Sequence, residues 1–177
     1  MWPKIGQLLV FALAMSVTAV LQFSFIPSLP EVAAAFNFVL VVAIFILFFF
    51  DWRWALAAAV LAGTWLDILT FNFFGFHILI LTLSVLTAHW VLQAWLTNRS
   101  LYAWLSLMTL TTIVYDLSSG LLLYLFVSDS RSFFLVTSEF WLQLAYQCAD
   151  NALAAALLFA LAAGATRRLS PFFLEKT

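Results

Sequence analysis

Six long apolar runs occupy most of the sequence and leave only short breaks between them. A helix needs about 20 apolar residues to cross a bilayer, and somewhat fewer can suffice. Hydrophobic residues make up 66% of the chain and charged residues only 8%, against about 25% charged residues in soluble domains. A soluble fold of this size could not hide so much apolar surface, so we expect lipid to cover it. The runs cover residues 5–26, 34–50, 54–71, 76–96, 101–127 and 139–164.

These runs predict an all-α fold, a polytopic membrane bundle of six transmembrane helices in a single domain, residues 1–177. They are long and continuous, whereas a membrane barrel needs segments of about 10 residues that alternate in polarity. Pro27 and Pro30 end the first run, because proline cannot continue the helix ladder. That run exceeds the roughly 7–15 apolar residues of a signal peptide, so we expect an uncleaved first helix.

The basic residues predict the orientation of the bundle. Short cytoplasmic loops of membrane proteins carry an excess of Lys and Arg. If the N-terminus lies inside, Arg131 is the one basic residue placed outside. We therefore predict that both termini are cytoplasmic. The residues on the inner side are then Lys4, Arg53, Arg99, Arg167, Arg168 and Lys176.

Three aspartates fall inside the predicted helices, where an ionisable group is costly and usually faces the bundle or a cavity. From the rise of the helix, Asp67 and Asp116 lie at similar depth in the outer half of the membrane, and Asp150 lies nearer the midplane. Gly63 precedes Asp67 by four residues, so both lie on one helix face. A glycine there lets another backbone approach, which predicts a contact between helices.

The last predicted helix carries a stripe of polar residues. Their spacings of four, three and one place the side chains on one face. Such a face forms hydrogen bonds between membrane helices or lines a path for a solute or a proton, and the sequence leaves both readings open. The stripe consists of Gln143, Gln147, Asp150 and Asn151.

His77 lies at the outer end of the fourth predicted helix, from where it could approach Asp67 or Asp116. It then acts as a polar cap on a short turn or as part of a metal site, but a metal needs three or four converging ligands. No phosphate loop, dinucleotide fingerprint or metalloprotease helix is present in the sequence. We therefore predict no catalytic residues, no cofactor and no metal. The net charge of −1 gives no global field to attract nucleic acid, and the sequence has no basic stripe of the kind that phosphate binding needs.

The order of these motifs resembles the MreD family, the polytopic membrane subunit of the bacterial rod-shape system. The resemblance covers roughly residues 21–126. It begins with Leu21-Gln22 and Pro27, and continues with Asn37 at the start of the second helix, where the preceding residue is Phe36 instead of the family's frequent proline. Its most specific part is Ala62-Gly63-Thr64-Trp65-Leu66-Asp67-Ile68-Leu69, followed by Gly75, Asn98-Arg99 and Val114-Tyr115-Asp116-Leu117.

The resemblance implies a scaffold without catalysis in the bacterial inner membrane, which supports cell shape and lateral peptidoglycan synthesis. Its expected partners are MreC, the RodA glycosyltransferase with its transpeptidase, the cytoskeletal MreB, and the lipid bilayer. The residues expected to shape a structure or a partner groove are Asn37, Gly63, Asp67, Gly75 and Asp116.

Two alternatives to the scaffold follow. The family's fold is similar to the substrate-binding S components of energy-coupling-factor vitamin transporters, which need a polar pocket near the outer face. Asp67, Asp116 and His77 could contribute to such a pocket. A membrane-embedded enzyme or proton carrier would instead need a carboxylate required for turnover or flux.

Overall fold

A computed structural model describes residues 2–70, 73–95, 100–126 and 137–169, and all regular structure within these ranges is helical. The prediction of an all-α fold is therefore confirmed. Arg99, Arg131 and Lys176, on which the predicted orientation partly rests, lie outside these ranges. A short 3-10 turn covers Ile26–Ser28, and the α-helices are α1 (Trp2–Ser24), α2 (Glu31–Ala34), α3 (Phe38–Phe49), α4 (Trp52–Thr70), α5 (Phe76–Ala94), α6 (Leu101–Phe126) and α7 (Ser138–Leu169).

The second long helix begins later than the sequence predicts, at Phe38 instead of residue 34. Pro30 starts only the single turn α2, and residues 35–37 are not helical. Asn37 then caps α3, because its side-chain oxygen accepts a hydrogen bond from the Leu40 N–H at 3.0 Å. Asparagine is among the preferred residues at this position. The alanines at 33–35 favour a helix, and they extended the sequence prediction beyond this cap.

Among the described residues, four helices are long and apolar enough to cross a membrane: Ile5–Ser28, Phe76–Ala94, Leu101–Phe126 and Ser138–Ala162. This set is compatible with a multi-pass membrane protein. The helices α3 and α4 do not belong to this set. α3 has 12 residues and rises about 18 Å, against a hydrocarbon core of about 30 Å. α4 includes Arg53 and Asp67 and is less apolar.

The short helix α3 lies at the centre of the bundle. It packs against α1, α4, α5, α6 and α7, and Leu40, Ile44 and Phe48 are completely buried. Trp104 of α6 packs on Phe48, with ring centroids 5.0 Å apart. Its indole N–H donates to the Ala155 carbonyl of α7 at 2.7 Å. Neighbouring helices therefore surround α3 and supply the protein environment that its short length requires.

Aromatic side chains gather at both ends of the bundle. At one end, Trp52 of α4 stacks on His89 of α5 with ring centroids 5.3 Å apart. At the other end, Phe73 and Phe126 meet with centroids 5.4 Å apart. Aromatic residues are enriched where membrane proteins meet the two membrane surfaces. We call the second end, where α1, α4 and α6 finish, the polar end, because it holds Gln22, Asn37, Asp67 and His77.

Candidate functional site

Asp67 joins the end of α4 to the start of α5 at the polar end. Its Oδ2 accepts a hydrogen bond from the Gly75 N–H at 2.8 Å, and its Oδ1 accepts one from the His77 N–H at 2.7 Å. The Nδ1 of the His77 ring lies 2.9 Å from the same Oδ1. The first N–H groups of a helix have no partner within the helix, and its positive end favours a carboxylate. Asp67 is 3% exposed and satisfies these groups from the neighbouring helix.

Gly75 allows the chain to turn directly into α5. Its φ is +103°, in the left-handed region that glycine adopts without the penalty of a Cβ. Gly75 immediately precedes the helix as its N-cap, and it supplies no side-chain cap. The carboxylate of Asp67 therefore takes the capping role that Ser, Asp or Asn usually performs from within the turn.

Gly63 sets the distance between α4 and α5 one turn before Asp67. A Cβ at this position would lie 2.8 Å from the Cα and 2.9 Å from the N of Ile78, and 3.1 Å from the C of His77. All three atoms are backbone, so no side-chain movement relieves the contact. The close approach that the sequence predicts at Gly63 is present, and Asp67 bonds across it.

Asn37 forms part of a second polar cluster, between α3, α6 and α7. Its backbone N–H donates to Asn151 Oδ1 of α7 at 3.0 Å. Asn151 Nδ2 in turn donates to Thr112 Oγ1 of α6 at 3.0 Å. Asn151 and Thr112 are completely buried. One amide side chain thus satisfies the backbone before α3 and links three helices.

Gln22 fixes the same segment from the side of α1. Its Oε1 accepts from the Phe38 N–H at 2.6 Å, and its Nε2 donates to the Phe36 carbonyl at 3.1 Å. Both ends of the amide are therefore used by the non-helical chain around Asn37. Buried polar backbone is costly without such partners, which explains why a glutamine is present in an otherwise apolar helix.

Asp116 lies on α6, close to this cluster, and is 9% exposed. The Gln147 side chain of α7 lies next to it, while its Oδ2 has no partner among the described residues. The neighbouring Tyr115 side chain lies next to that of Asn37. Asp116 therefore lies where α6 contacts α7, and it takes no part in the α4–α5 joint formed by Asp67.

The predicted polar stripe of the last helix divides in the structure. Gln147 and Asn151 are buried and face the bundle, whereas Gln143 is exposed and Asp150 is half-buried. Asn151 forms the interhelical hydrogen bonds described above, and Gln147 lies next to Asp116 of α6, which favours contacts between helices over a polar path.

A cleft of about 300 Å³ opens at the polar end, beside the Asp67–His77 pair. It is bounded by α1, α3, α4, α5 and α6, so residues far apart in the sequence face one space. Its walls combine apolar and polar side chains. The apolar residues are Phe23, Pro27 and Leu66, and the polar residues are Gln22, Asn37, Thr70, His77 and Tyr115.

The structure thus brings the predicted residues into two groups, both at the polar end. Gly63, Asp67 and Gly75 form the α4–α5 joint, and Asn37 belongs to the cluster with Asn151. His77 pairs with Asp67 and not with Asp116. Among the residues that the structure describes, no group of three His, Cys, Asp or Glu side chains could hold a metal ion.

Sequence reasoning missed the roles of Gln22, Thr112 and Tyr115. Gln22 had a usable signal, since a polar amide within an apolar run needs a partner just as the aspartates do. Thr112 had none, because threonine in a helix usually bonds its own backbone, and its hydroxyl does donate to the Met108 carbonyl at 2.9 Å.

Comparison of the chain with protein-family models, with curated proteins and with solved structures gives no match.

Proposed function

We propose that this protein is a non-catalytic membrane scaffold of the MreD type, which binds MreC and supports cell shape and lateral peptidoglycan synthesis. One observation supports this proposal above the others. The residues that carry the sequence resemblance are engaged in holding helices together: Gly63 and Asp67 join α4 to α5, and Asn37 joins α3 to α7. A scaffold needs a bundle fixed in this way, so that its outer faces present a constant surface to partners.

The proposed location is the bacterial inner membrane, with six spans and both termini in the cytoplasm. Six of the seven Lys and Arg residues fall on the predicted inner side of the membrane, and such an excess is typical of cytoplasmic loops. In this arrangement the polar end lies near the outer surface. The short α3 would cross within a shell of neighbouring helices, as non-helical or short segments at membrane depth require protein around them.

The proposed partner surface lies on the edge helices α1 and α7. Each packs on one side against the bundle and leaves large apolar residues exposed on the other, including Leu9 and Leu13 of α1, and Leu153 and Leu157 of α7. Lipid or the transmembrane helix of a partner can cover such faces. Gln143 is also exposed there and offers a hydrogen bond to a partner helix.

The test is gentle detergent extraction of the tagged protein from its native membrane, followed by mass spectrometry of the co-purifying proteins. Recovery of an MreC-like protein with RodA and its transpeptidase is the expected result. Recovery of transporter ATPases with a vitamin, and no cell-wall proteins, would overturn the scaffold in favour of a transporter S component.

Two substitutions sharpen this test. Asp67→Leu removes the acceptor for three donors, the Gly75 N–H and the N–H and ring Nδ1 of His77. It should reduce partner recovery and disturb the normal cell shape. Thr64→Leu lies on the same helix, and its hydroxyl only bonds its own backbone at Val60. It serves as the matched control and should leave both readouts unchanged. Normal recovery and normal shape with Asp67→Leu would count against the proposal.

A further inference from the structure

The His77 ring has a fixed orientation between Asp67 and the cleft. Both oxygens of Asp67 already accept hydrogen bonds from backbone N–H groups, which can only donate. The ring atom Nδ1, 2.9 Å away, therefore carries the hydrogen, and in the neutral ring Nε2 is left as a hydrogen-bond acceptor.

His77 lies at the boundary between the buried Asp67 and the cleft. The Asp67 side chain is completely buried, while that of His77 is 12% exposed, and His77 lines the cleft. Nε2 has no hydrogen-bond partner among the described residues. Other polar groups in the cleft wall already have partners: Gln22 bonds the backbone at Phe36 and Phe38, Thr70 donates to the Leu66 carbonyl, and the Asn37 side-chain oxygen accepts from the Leu40 N–H.

The remaining wall restricts the chemistry of a ligand. Phe23, Pro27 and Leu66 supply apolar surface, and none of the lining residues carries a formal charge apart from the titratable His77. A charged ligand would lose its hydration without gaining a counter-ion. The volume of about 300 Å³ lies at the lower end of the range for small-molecule sites, which are mostly apolar with a few fixed polar groups.

We propose that this cleft binds a neutral, partly apolar molecule, which donates a hydrogen bond from a hydroxyl or N–H group to Nε2 of His77. The molecule is a free metabolite or the headgroup of a neutral lipid, since both present this chemistry. The Asp67–His77 pair then has two roles: it caps α5 and it holds the ring for the ligand. This inference goes beyond the scaffold role and does not depend on it.

The test compares native mass spectra of the wild-type protein and the His77→Asn variant, both extracted from native membranes. The amide nitrogen of asparagine occupies the position of the ring Nδ1, so His77→Asn keeps the donor to Asp67. The variant lacks Nε2, and its amide oxygen lies at the position of ring Cδ2, short of the place where the ligand's donor meets Nε2. Wild type should retain a bound molecule, and the variant should bind it roughly three- to tenfold more weakly, as the loss of one hydrogen bond predicts. Fragmentation of the bound molecule distinguishes a metabolite from a lipid.

A chemical footprint covers the case in which the molecule is lost during extraction. Diethylpyrocarbonate acylates an unprotonated ring nitrogen, and His89, stacked on Trp52 at the other end of the bundle, is the internal control. His77 should react more slowly in native membranes than in the stripped, purified protein, while His89 reacts at the same rate in both.

Three outcomes would overturn the proposal. One is an equal amount of bound molecule in His77→Asn and in wild type, which would place the molecule elsewhere. Another is equal acylation of His77 in membranes and after stripping. A third is protection of His77 from acylation only in samples that retain a co-purifying protein, whether or not they retain a small molecule. Gln7→Leu lies in the separate groove between Gly6 and Ala14 of α1 and controls for loosely held lipid. It should leave the amount of bound molecule and the acylation rate of His77 unchanged.

Discussion

Replacing Gly63 by alanine adds a single methyl group where the backbones of α4 and α5 are in close contact. The new Cβ would lie 2.8 Å from the Cα of Ile78, and ordinary contacts begin at 3.4 Å. The two helices must therefore separate by about 0.6 Å at this level. Asp67 lies one turn further along α4, and its hydrogen bonds of 2.7–2.9 Å to α5 would lengthen toward the limit of about 3.2 Å for such bonds.

The cost has two parts. Inserting a methyl group into a packed interior typically costs about 1–3 kcal/mol. Weakening hydrogen bonds to a charged group adds to this, since each contributes about 1.5–3 kcal/mol when fully formed. The gain in helix propensity from glycine to alanine offsets about 0.5–1 kcal/mol. We therefore expect Gly63→Ala to lower the free energy of unfolding by about 2–4 kcal/mol.

The measurement is reversible unfolding of the purified protein in mixed detergent micelles. Gly6→Ala is the matched control, because a Cβ at Gly6 meets nothing within 4 Å. The double variant Gly63→Ala with Ile78→Ala should not recover stability, since the clash is with the backbone of Ile78 and not with its side chain. A Gly63→Ala protein as stable as the Gly6→Ala protein would refute the reasoning, as would recovery in the double variant.

Further substitutions test the other polar contacts in the same unfolding assay. Asp67→Asn keeps the shape but turns an NH₂ toward one of the N–H donors of α5, so we expect a loss of about 1–3 kcal/mol; no loss would mean that the acceptor is not needed. Gly75→Ala should cost about 1–2 kcal/mol from its positive φ alone, because a Cβ there meets no atom within 4 Å, and Gly75→Asn should cost less. Asn151→Ala leaves the buried N–H of Asn37 without its acceptor and should cost at least about 1–3 kcal/mol; a neutral result would show that water replaces the amide.

The sequence predicted the helices well because their signals are local. Apolar runs and the breaks around Pro27, Pro30 and Gly75 depend only on neighbouring residues. The Gly63–Asp67 joint was also predictable, because a spacing of four places both residues on one helix face.

The start of α3 and the cluster around it could not be predicted in this way. The N–H of Asn37 bonds a side chain 114 residues later in the chain, and no local pattern reports such a partner. The same limit applies to the polar stripe of α7. Spacing alone places Gln143 and Gln147 on one helix face, but in the structure Gln143 is exposed and Gln147 is buried. Tertiary packing decides both points.

The bond between Asn37 and Asn151 also has a consequence for biosynthesis. A ribosome makes the chain from its N-terminus, so α3 leaves it long before α7 does. Until α7 arrives, the backbone N–H of Asn37 lacks its acceptor at a position that is buried in the finished protein. The bundle is therefore completed by its last helix, and a chain truncated before α7 should remain open at α3, where cellular quality control can recognise it as unfinished.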